Sequence, residues 1–349
     1  MLLKNNEILK KKEQINFLKK KNLFDIYFND VFINLHTNIN KKVFYFFFNE
    51  NEDFIFMPLL VSPIFQNKSE NNFYFETVYG YSGPISTSNH LDFLNKAWRV
   101  FFDDCKKAHI ISGFIRFNPF LENHLIVQKQ SYIDLVTEKK IIYSNISNEY
   151  KHYFDKFSNN VKKNLKKAKN LDLELSEKIN QKNIEEFSKI YIKLMNKKNA
   201  DDSYYFDIDY FQNLLFELPN NTGMISVSHK DKLIGALIYL QYDTKIHIHL
   251  SAVDIDYRNS SISYVLRSHL FKVFEKTNYL LNFGGGLQTS EKDSLFKFKK
   301  GFSDKTKDYF VGKVLIDIDK HNFYKKMTFK RYGDQYMNMH MPYSFYNLS

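Results

Sequence analysis

The sequence is poor in cysteine and proline, with Cys105 as its one cysteine and 6 prolines in 349 residues. A single cysteine excludes a disulfide within the chain and a zinc site built from several cysteines. The longest apolar runs, at 43–48 and 54–64, fall well short of the roughly 20 residues that a membrane-spanning helix needs. The N-terminal residues also lack the apolar centre of a secretory signal peptide. We therefore expect a cytoplasmic protein with no membrane span.

Several catalytic motifs are absent as well. Gly284, Gly285 and Gly286 follow a predicted strand, but the next residues break the G-x-G-x-x-G spacing of a dinucleotide fingerprint. The sequence also lacks the signatures of P-loop ATPases, zinc proteases and serine hydrolases. His247 and His249 share one face of a predicted strand, yet no third ligand stands at a recognisable spacing. Packing or hydrogen bonding is therefore favoured over a metal site, and no metal is expected.

Aromatic and basic residues, in contrast, are abundant. The chain contains 35 Phe and 24 Tyr, enough apolar surface for a folded core, and its length favours two domains. Lys and Arg number 50 against 39 Asp and Glu, which gives a net charge of +11. The lysines cluster at Lys10–Lys12, Lys19–Lys21, Lys162–Lys169 and Lys297–Lys300. Each cluster is typical of a solvated face, although the net charge also favours phosphate-bearing partners without naming one.

Hydrophobic patterning in the first part of the chain predicts a mixture of strands and helices. Residues 43–48 and 54–64 predict a β-hairpin around a polar turn. Leu91–Ala108 has the apolar spacing of a helix, and Ile110–Phe117 predicts a strand.

The second part begins with a predicted turn at Tyr143–Ser147 and a helix over Glu149–Lys169, which carries many lysines. Three predicted strands then form an antiparallel meander, at Met224–Ser228, Lys232–Leu240 and Lys245–Ala252. A helix over Tyr257–Lys276 follows, and its start is rich in small polar residues. Backbone N–H groups at such a start can bind phosphate, although small polar residues also serve as an ordinary N-cap.

Phe283–Ser303 is the densest motif in the chain. Its three glycines permit close approach of the backbone to a ligand, and Lys299 would place a charge near a developing oxyanion or a phosphate. The same segment is also typical of a flexible loop that leads into a basic, Phe-rich stretch.

Taken in order, these motifs resemble a known family. The segments 247–266, 281–286 and 293–303 closely resemble the carboxy-terminal half of the Fem-like, double-GNAT acyltransferases. That family includes peptidoglycan-bridge aminoacyltransferases and related acetyltransferase-like proteins of envelope polysaccharide loci. In the first half, Tyr79–Ile85 and Arg116–Asn123 are similar to an aromatic-Gly-Pro turn and an arginine–proline segment of the family. Val161–Asn170 resembles its basic helix.

The resemblance implies an α/β protein of two GNAT-like domains with mixed, mainly antiparallel sheets and flanking helices. The expected domains are 1–142 and 143–349, with the tail packing on the first. It also implies an acyltransferase that moves an acyl group from acyl-CoA or aminoacyl-tRNA onto an amine or hydroxyl. The acceptor would be a phosphate-bearing sugar, nucleotide-linked or lipid-linked, near the inner face of the membrane.

The same resemblance implies roles for individual residues. Lys299 is the catalytic candidate. The candidates for binding the donor phosphates are Asn259, Ser260, Ser261 and Ser263. The candidates for substrate binding are Tyr79, Tyr81, Gly83, Arg116, Lys162, Lys166, His249 and Gly285.

Two departures from the family bear on the donor. Lys162 stands where the basic helix usually has arginine, so a bidentate phosphate clamp becomes a point charge. The chain is also too short for the helical-hairpin arm of some bridge-forming members, which favours acyl-CoA over aminoacyl-tRNA. A different class of protein stays open: a non-catalytic binder of nucleic acid or phosphate ligands on the same fold, since Lys162–Lys169 would neutralise phosphates.

Overall fold

The computed structural model describes residues 2–8, 12–64, 71–127, 130–201, 204–287 and 290–333. Its strands are β1 (Leu2–Leu3), β2 (Lys42–Glu50), β3 (Asp53–Pro63), β4 (Phe73–Glu76), β5 (Ile85–Ser86), β6 (Ile110–Arg116), β7 (Ile133–Ile146), β8 (Glu174–Ser176), β9 (Thr222–His229), β10 (Lys232–Tyr242), β11 (Lys245–Val253), β12 (Tyr279–Gly285) and β13 (Thr306–Leu315). Its α-helices are α1 (Asn5–Ile8), α2 (Lys12–Lys20), α3 (Asp30–Asn34), α4 (Leu91–Lys107), α5 (Tyr150–Lys156), α6 (Asn159–Ala168), α7 (Gln181–Lys198), α8 (Ile208–Glu217), α9 (Ile262–Val273), α10 (Ser294–Lys300) and α11 (Ile318–Tyr332).

The chain divides into two units. Unit 1 is the chain up to Glu138 together with the chain from Asp308 onward, and unit 2 is Lys139–Lys307. The sequence instead predicts a boundary at residue 142 and assigns 143–349 to the second domain. The difference lies in β13, because Val311–Leu315 pairs antiparallel with Arg116–Ser112 of β6. The predicted packing of the tail concerns in part residues 334–349, which lie outside the described residues.

Unit 1 is built on the strand order β1-β2-β3-β4-β6-β13, with β5 beside β3. The predicted hairpin is confirmed as β2 and β3, which pair from Lys42 with Val61 to Glu50 with Asp53. One face of the amphipathic helix α4 buries Trp98 and Phe101 against this sheet. The indole nitrogen of Trp98 donates to the carbonyl of Ile126 at 3.0 Å, so its one polar atom is satisfied.

Unit 2 has the strand order β7-β12-β11-β10-β9-β8. The predicted meander is confirmed as β9, β10 and β11, and β11 pairs parallel with β12. Helices α5, α6, α9 and α10 supply apolar side chains to one core with this sheet. The prediction of an α/β fold with mixed, mainly antiparallel sheets and flanking helices is confirmed. Among the helices of the described ranges, none combines the length and the hydropathy needed to cross a bilayer.

Two local predictions before the meander are wrong. Residues 143–146, most of the turn predicted at Tyr143–Ser147, extend β7 and pair with β12, because buried Ile142 and Ile146 anchor the strand on either side of a polar stretch. The predicted helix over 149–169 is two helices. The backbone is extended at Phe157, and the Ser158 side chain then caps α6 by accepting from the N–H of Val161.

The helix predicted over 257–276 is also shorter than expected. A 3-10 turn spans Ile255–Tyr257, and α9 begins only at Ile262. The residue before it, Ser261, has φ +68°, a left-handed conformation that no helix can continue through.

Candidate functional site

The parallel strands of unit 2 separate at one end. β11 and β12 pair only through Lys245–His247 and Leu280–Asn282. Beyond these residues β11 continues beside β10, and β12 continues beside β7. The two facing strand edges therefore leave backbone N–H and C=O groups available to an extended ligand at this end. A β-bulge adds to the irregularity, because His249 has no opposite residue between the pairs Ile238 with Leu250 and Tyr239 with Ile248.

The loop after β11 leads to the N-terminus of α9, and it holds the four predicted donor-binding residues. Asn259 and Ser260 precede the helix, Ser261 is its N-cap, and Ser263 is in its first turn. The Ser261 side chain makes no capping hydrogen bond and instead donates to Asn164 Oδ1 of α6 at 2.7 Å. The N–H of Tyr264 donates to the Ser261 carbonyl at 3.0 Å, so the N–H groups of Ile262 and Ser263 are the donors of the first turn that have no acceptor one turn back. This is the local geometry that binds phosphate at helix N-termini.

The basic helix α6 holds that loop. Lys167 Nζ donates to the carbonyl of Asn259 at 2.8 Å, and Lys162 Nζ donates to the carbonyl of Asp155 at 2.7 Å. Lys166 is exposed, as is Lys163. The apolar face of α6, with Val161 and Leu165, packs into the core, which turns the lysines outward.

The triple-glycine motif ends β12 and contacts α10. Lys299 Nζ donates to the carbonyl of Gly285 at 2.6 Å. A side chain at Gly285 would lie 2.7 Å from Lys139 Cδ and 2.8 Å from the Lys140 carbonyl, and one at Gly286 would lie 2.6 Å from Asp293 Oδ1. Close packing on both sides therefore requires these glycines. Burial lowers the pKa of Lys299 to about 7, assisted by the positive charges of Arg267 and Lys139.

Arg267 is a residue that the motifs did not single out. It is buried on α9, where it donates to the Ser263 carbonyl at 3.2 Å and to Ser251 Oγ at 3.0 Å. Its guanidinium carbon lies 4.8 Å from the ring centre of Phe298, next to Lys299 in the chain. A signal was present in the sequence, because Arg267 shares its helix face with Leu270 and Phe271, at the spacing of a buried apolar stripe.

The two histidines of β11 have separate partners. His247 is buried, and its Nδ1 lies 3.1 Å from Asn282 Nδ2, while Asn282 Oδ1 accepts from the N–H of Gly284 at 2.8 Å. His249 Nε2 lies 2.7 Å from the hydroxyl of Tyr210 on α8. Hydrogen bonding therefore accounts for both rings. Within the described ranges no group of three or more His, Cys, Asp or Glu side chains is placed to hold a metal ion.

The remaining predicted residues lie in unit 1. Arg116 is buried, donates to the Thr77 carbonyl at 2.6 Å and forms an ion pair with Glu76 at 2.8 Å. Lys41 Nζ reaches the other Glu76 oxygen at 2.6 Å. Burial alone would raise the pKa of Glu76, but the charges of Arg116 and Lys41 outweigh it and lower the pKa to about 2. The guanidinium that the resemblance assigned to substrate binding is thus held by a carboxylate.

The aromatic-Gly-Pro turn is packed by its own neighbours. The Tyr81 ring lies edge-on to Tyr27 and to Tyr309, with centroids 5.6 and 5.3 Å away, and Tyr79 stacks on His36 at 6.2 Å. Gly83 is buried at φ +82°. The Asn123 side-chain nitrogen donates to the carbonyls of Ser82 and Pro84 at 2.6 and 2.8 Å, on either side of Gly83. The geometry of the turn and these contacts therefore explain why residue 83 is a glycine.

Comparison with known proteins finds a family match within unit 2. Residues 155–293 match the family model of an acetyltransferase (GNAT) domain. No curated protein sequence matches the chain. Among solved structures, FemX is similar with a TM-score of 0.63 and 9% identity, over 86% of this chain and 94% of that chain. The C-terminal domain of a putative lysylphosphatidylglycerol synthetase from Agrobacterium fabrum is similar with a TM-score of 0.52 and 14% identity, over 78% and 84% of the two chains.

A further similar structure is L-PGS from Bacillus licheniformis, with a TM-score of 0.55 and 8% identity, over 80% of this chain and 85% of that chain. At these identities the likeness concerns the fold. Together with the GNAT match, it confirms the predicted Fem-like, double-GNAT architecture.

Proposed function

We propose, from the premise that this chain is a GNAT-type acyltransferase with the Fem-like double-GNAT fold, that it transfers an acyl group from acyl-CoA to a phosphate-bearing sugar. The observation that carries the proposal is the hydrogen bond from Lys299 to Gly285, at the end of the β11–β12 pair where the strands separate. This hydrogen bond holds a cation at the end of the paired region, next to the backbone N–H and C=O groups that the separated strands leave available to a ligand.

The donor half of the proposal rests on the loop between β11 and α9. GNAT domains in general use acyl-CoA, whose phosphates need backbone or cationic donors and whose amides need strand-like partners. The first turn of α9 offers N–H groups for the phosphates. The open edges of β11 and β12 offer N–H and C=O groups for the amides. We assign Asn259, Ser260, Ser261 and Ser263 to this phosphate site, with Asn259 held by Lys167.

The transfer step needs charge stabilisation more than a covalent intermediate. The acceptor nitrogen or oxygen forms a bond to the thioester carbonyl carbon, and the carbonyl oxygen becomes an oxyanion. The C–S bond then breaks, the thiolate leaves and takes up a proton, and the acceptor atom loses one. A lysine ammonium has three N–H donors, of which the Gly285 carbonyl uses one. The others are suited to the oxyanion.

The acceptor half rests on charge. Lys163 and Lys166 are exposed on α6, on the helix that carries the donor loop contact. Several ammonium groups on one element concentrate a positive potential that favours a diphosphate-linked acceptor. His249 with Tyr210 and the Gly285 backbone stay candidates for substrate contact, as do Tyr79, Tyr81 and Gly83. Arg116 is less suited to a phosphate, because Glu76 already neutralises it.

The proposal is tested with Lys299→Ala. The variant is incubated with a panel of acyl-CoA donors and nucleotide-sugar amines, and mass spectrometry follows the mass gain on the acceptor. Loss of one oxyanion donor typically lowers turnover by about 10²–10³-fold, and we expect a loss of that order. Lys297→Ala is the matched control, because Lys297 is exposed on the same helix and should be dispensable. Turnover of Lys299→Ala within a factor of about two of the wild type, with Lys297→Ala equal to it, overturns the assignment.

The exposed lysines of α6 also favour a second donor, aminoacyl-tRNA. Lys163 and Lys166 lie beside a loop that α6 itself holds, so an RNA backbone there would be neutralised next to the donor site. The same assay separates the two donors, acyl-CoA and aminoacyl-tRNA. Transfer from charged tRNA that ribonuclease abolishes identifies RNA as the carrier, whereas transfer from acyl-CoA that ribonuclease leaves unchanged supports the leading proposal. Binding of RNA with no transfer from either donor indicates a non-catalytic protein.

A further inference from the structure

A buried cation near Lys299 lacks a carboxylate partner. Arg267 is 5% exposed, and within the described ranges neither Arg267 nor Lys299 forms an ion pair with an acidic side chain. The Nε atom of Arg267 is buried and has no hydrogen-bond partner among these residues. Burying an unpaired charge is costly, and the nearby ammonium of the partly buried Lys299 adds repulsion. Replacing buried charges by apolar residues of similar volume is often neutral or stabilising, so a buried arginine with no carboxylate partner favours a role beyond stability.

The contacts of Arg267 lead directly to Lys299. Phe298 packs between two side chains of α9, with the Tyr264 ring edge-on at 4.8 Å and the Arg267 guanidinium carbon 4.8 Å from its ring centre. These contacts set the rotation of α10 about its axis. Lys299 follows Phe298, and its Nζ is thereby directed at the Gly285 carbonyl. The two terminal nitrogens of Arg267 donate to the Ser263 carbonyl and to Ser251 Oγ, which ties the same guanidinium to the first turn of α9 and to β11.

The charges that face Lys299 come from three elements. Arg267 on α9 and Lys139 on β7 both disfavour its ammonium form, whereas Asp293, the N-cap of α10, favours it. Burial has the largest effect, and the net result is a pKa of about 7. An ammonium that gives up its proton more readily donates a stronger hydrogen bond to a developing oxyanion.

We propose that Arg267 positions Lys299 and tunes its charge for acyl transfer. The inference rests on the proposed role of Lys299. Arg267 acts on the reaction through Phe298 and Lys299, so it is a positioning residue and needs no contact with either substrate.

The first experiment observes Lys299 without any substrate. The protein is labelled with ¹³Cε-lysine, the Lys299 resonance is assigned by its loss in Lys299→Met, and its chemical shift is followed against pH. In Arg267→Met the titration midpoint should rise by at least about one unit, because the largest neighbouring charge is removed. Lys139→Met should raise it by less, which provides a second test if Arg267→Met fails to fold. Arg267→Lys keeps the charge and should leave the midpoint nearly unchanged.

The second experiment measures transfer rate against pH in the same variants. If Lys299 acts as an ammonium, the wild-type rate falls as pH rises through about 7, where Lys299 loses its proton. In Arg267→Met the pH at which the rate falls should rise together with the titration midpoint of Lys299. In Arg267→Lys the rate should fall at the same pH as in the wild type, but the rate itself should be roughly tenfold lower, because lysine cannot stack flat on Phe298. The inference is overturned if the titration midpoint of Lys299 does not move in Arg267→Met or, where that variant does not fold, in Lys139→Met. A midpoint that moves while the rate profile stays in place overturns the role of Lys299 in transfer and leaves the charge effect of Arg267 standing.

Discussion

At the scale of single residues, the buried and partly buried basic side chains of the two units have opposite surroundings. Arg116 in unit 1 is neutralised by Glu76, whereas Arg267 and Lys299 in unit 2 have no acidic ion-pair partner among the described residues. Perturbed and unpaired charges concentrate at functional sites because stability alone does not favour them. The difference supports the proposed role of Lys299 and favours a structural role for Arg116.

The pairing of Glu76 predicts a pH-dependent stability. Its pKa in the folded chain is about 2, below the ordinary 4.5, so the stabilisation is fully present above pH about 4.5 and is lost as pH falls toward 2. Glu76→Gln leaves Arg116 buried without its partner and should lower the free energy of unfolding by about 3–5 kcal/mol at neutral pH. The difference from the wild type should narrow as pH falls below 4.5. Urea unfolding across this pH range measures both effects.

Glu50→Gln is the control for that series. Glu50 pairs with Lys96 at 2.7 Å, but both side chains are exposed, so the change should cost no more than about 0.5 kcal/mol. Equal losses in the two variants, or a Glu76→Gln loss that does not depend on pH, would contradict the assignment of Glu76 as the counter-charge of Arg116.

At the scale of elements, the turn at Tyr79–Ile85 depends on glycine for two different reasons. Gly80 has φ +110°, and a side chain there would lie 2.1 Å from Tyr27 Cε1. Gly80→Ala should therefore destabilise the protein by more than about 2 kcal/mol, since strain and overlap add. Gly312→Ala on β13 is the comparison, because its nearest contact would be 3.1 Å and its φ is ordinary. Thermal unfolding should show that Gly80→Ala loses at least twice as much stability as Gly312→Ala. Similar losses of stability would mean that the Tyr27 ring moves aside easily.

At the scale of the whole molecule, unit 1 is discontinuous in sequence. β13 covers the edge of β6, and Tyr324 of α11 accepts a hydrogen bond from Asn72 at 2.9 Å. A chain truncated after residue 307 should leave β6 with unpaired backbone groups and an opened core, so unit 1 should not fold stably. A chain truncated after residue 333 retains both elements and serves as the control.

Trp98 makes this prediction easy to follow. It is the single tryptophan of the chain and is fully buried in the core of unit 1. Its fluorescence should be that of an exposed indole in the chain ending at 307 and that of a buried indole in the chain ending at 333. Native emission in both would mean that β13 is not needed for the core of unit 1.

Sequence patterns alone determined the class of the protein and many of its elements. The two apolar runs at 43–48 and 54–64, joined by a polar turn, predict the hairpin β2–β3, and the apolar spacing of 91–108 predicts α4, because both patterns record burial within one local element. The resemblance carried by the ordered motifs implied the double-GNAT fold and the candidate Lys299. The sequence did not predict the exact start of α9. Serine is a common N-cap residue, so its presence at position 261 does not reveal that its backbone is left-handed.

Tertiary structure alone decided which charges are neutralised. Arg116 and Glu76 are 40 residues apart and meet only because β4 and β6 lie side by side in register, so no local pattern shows that Arg116 is already paired. Arg267 and Phe298 are likewise distant in sequence, and only the packing of α10 on α9 brings a buried cation beside Lys299. Periodicity reports whether a side chain is buried within its own element. The identity of its neighbour depends on sheet order and helix packing, which the fold as a whole creates.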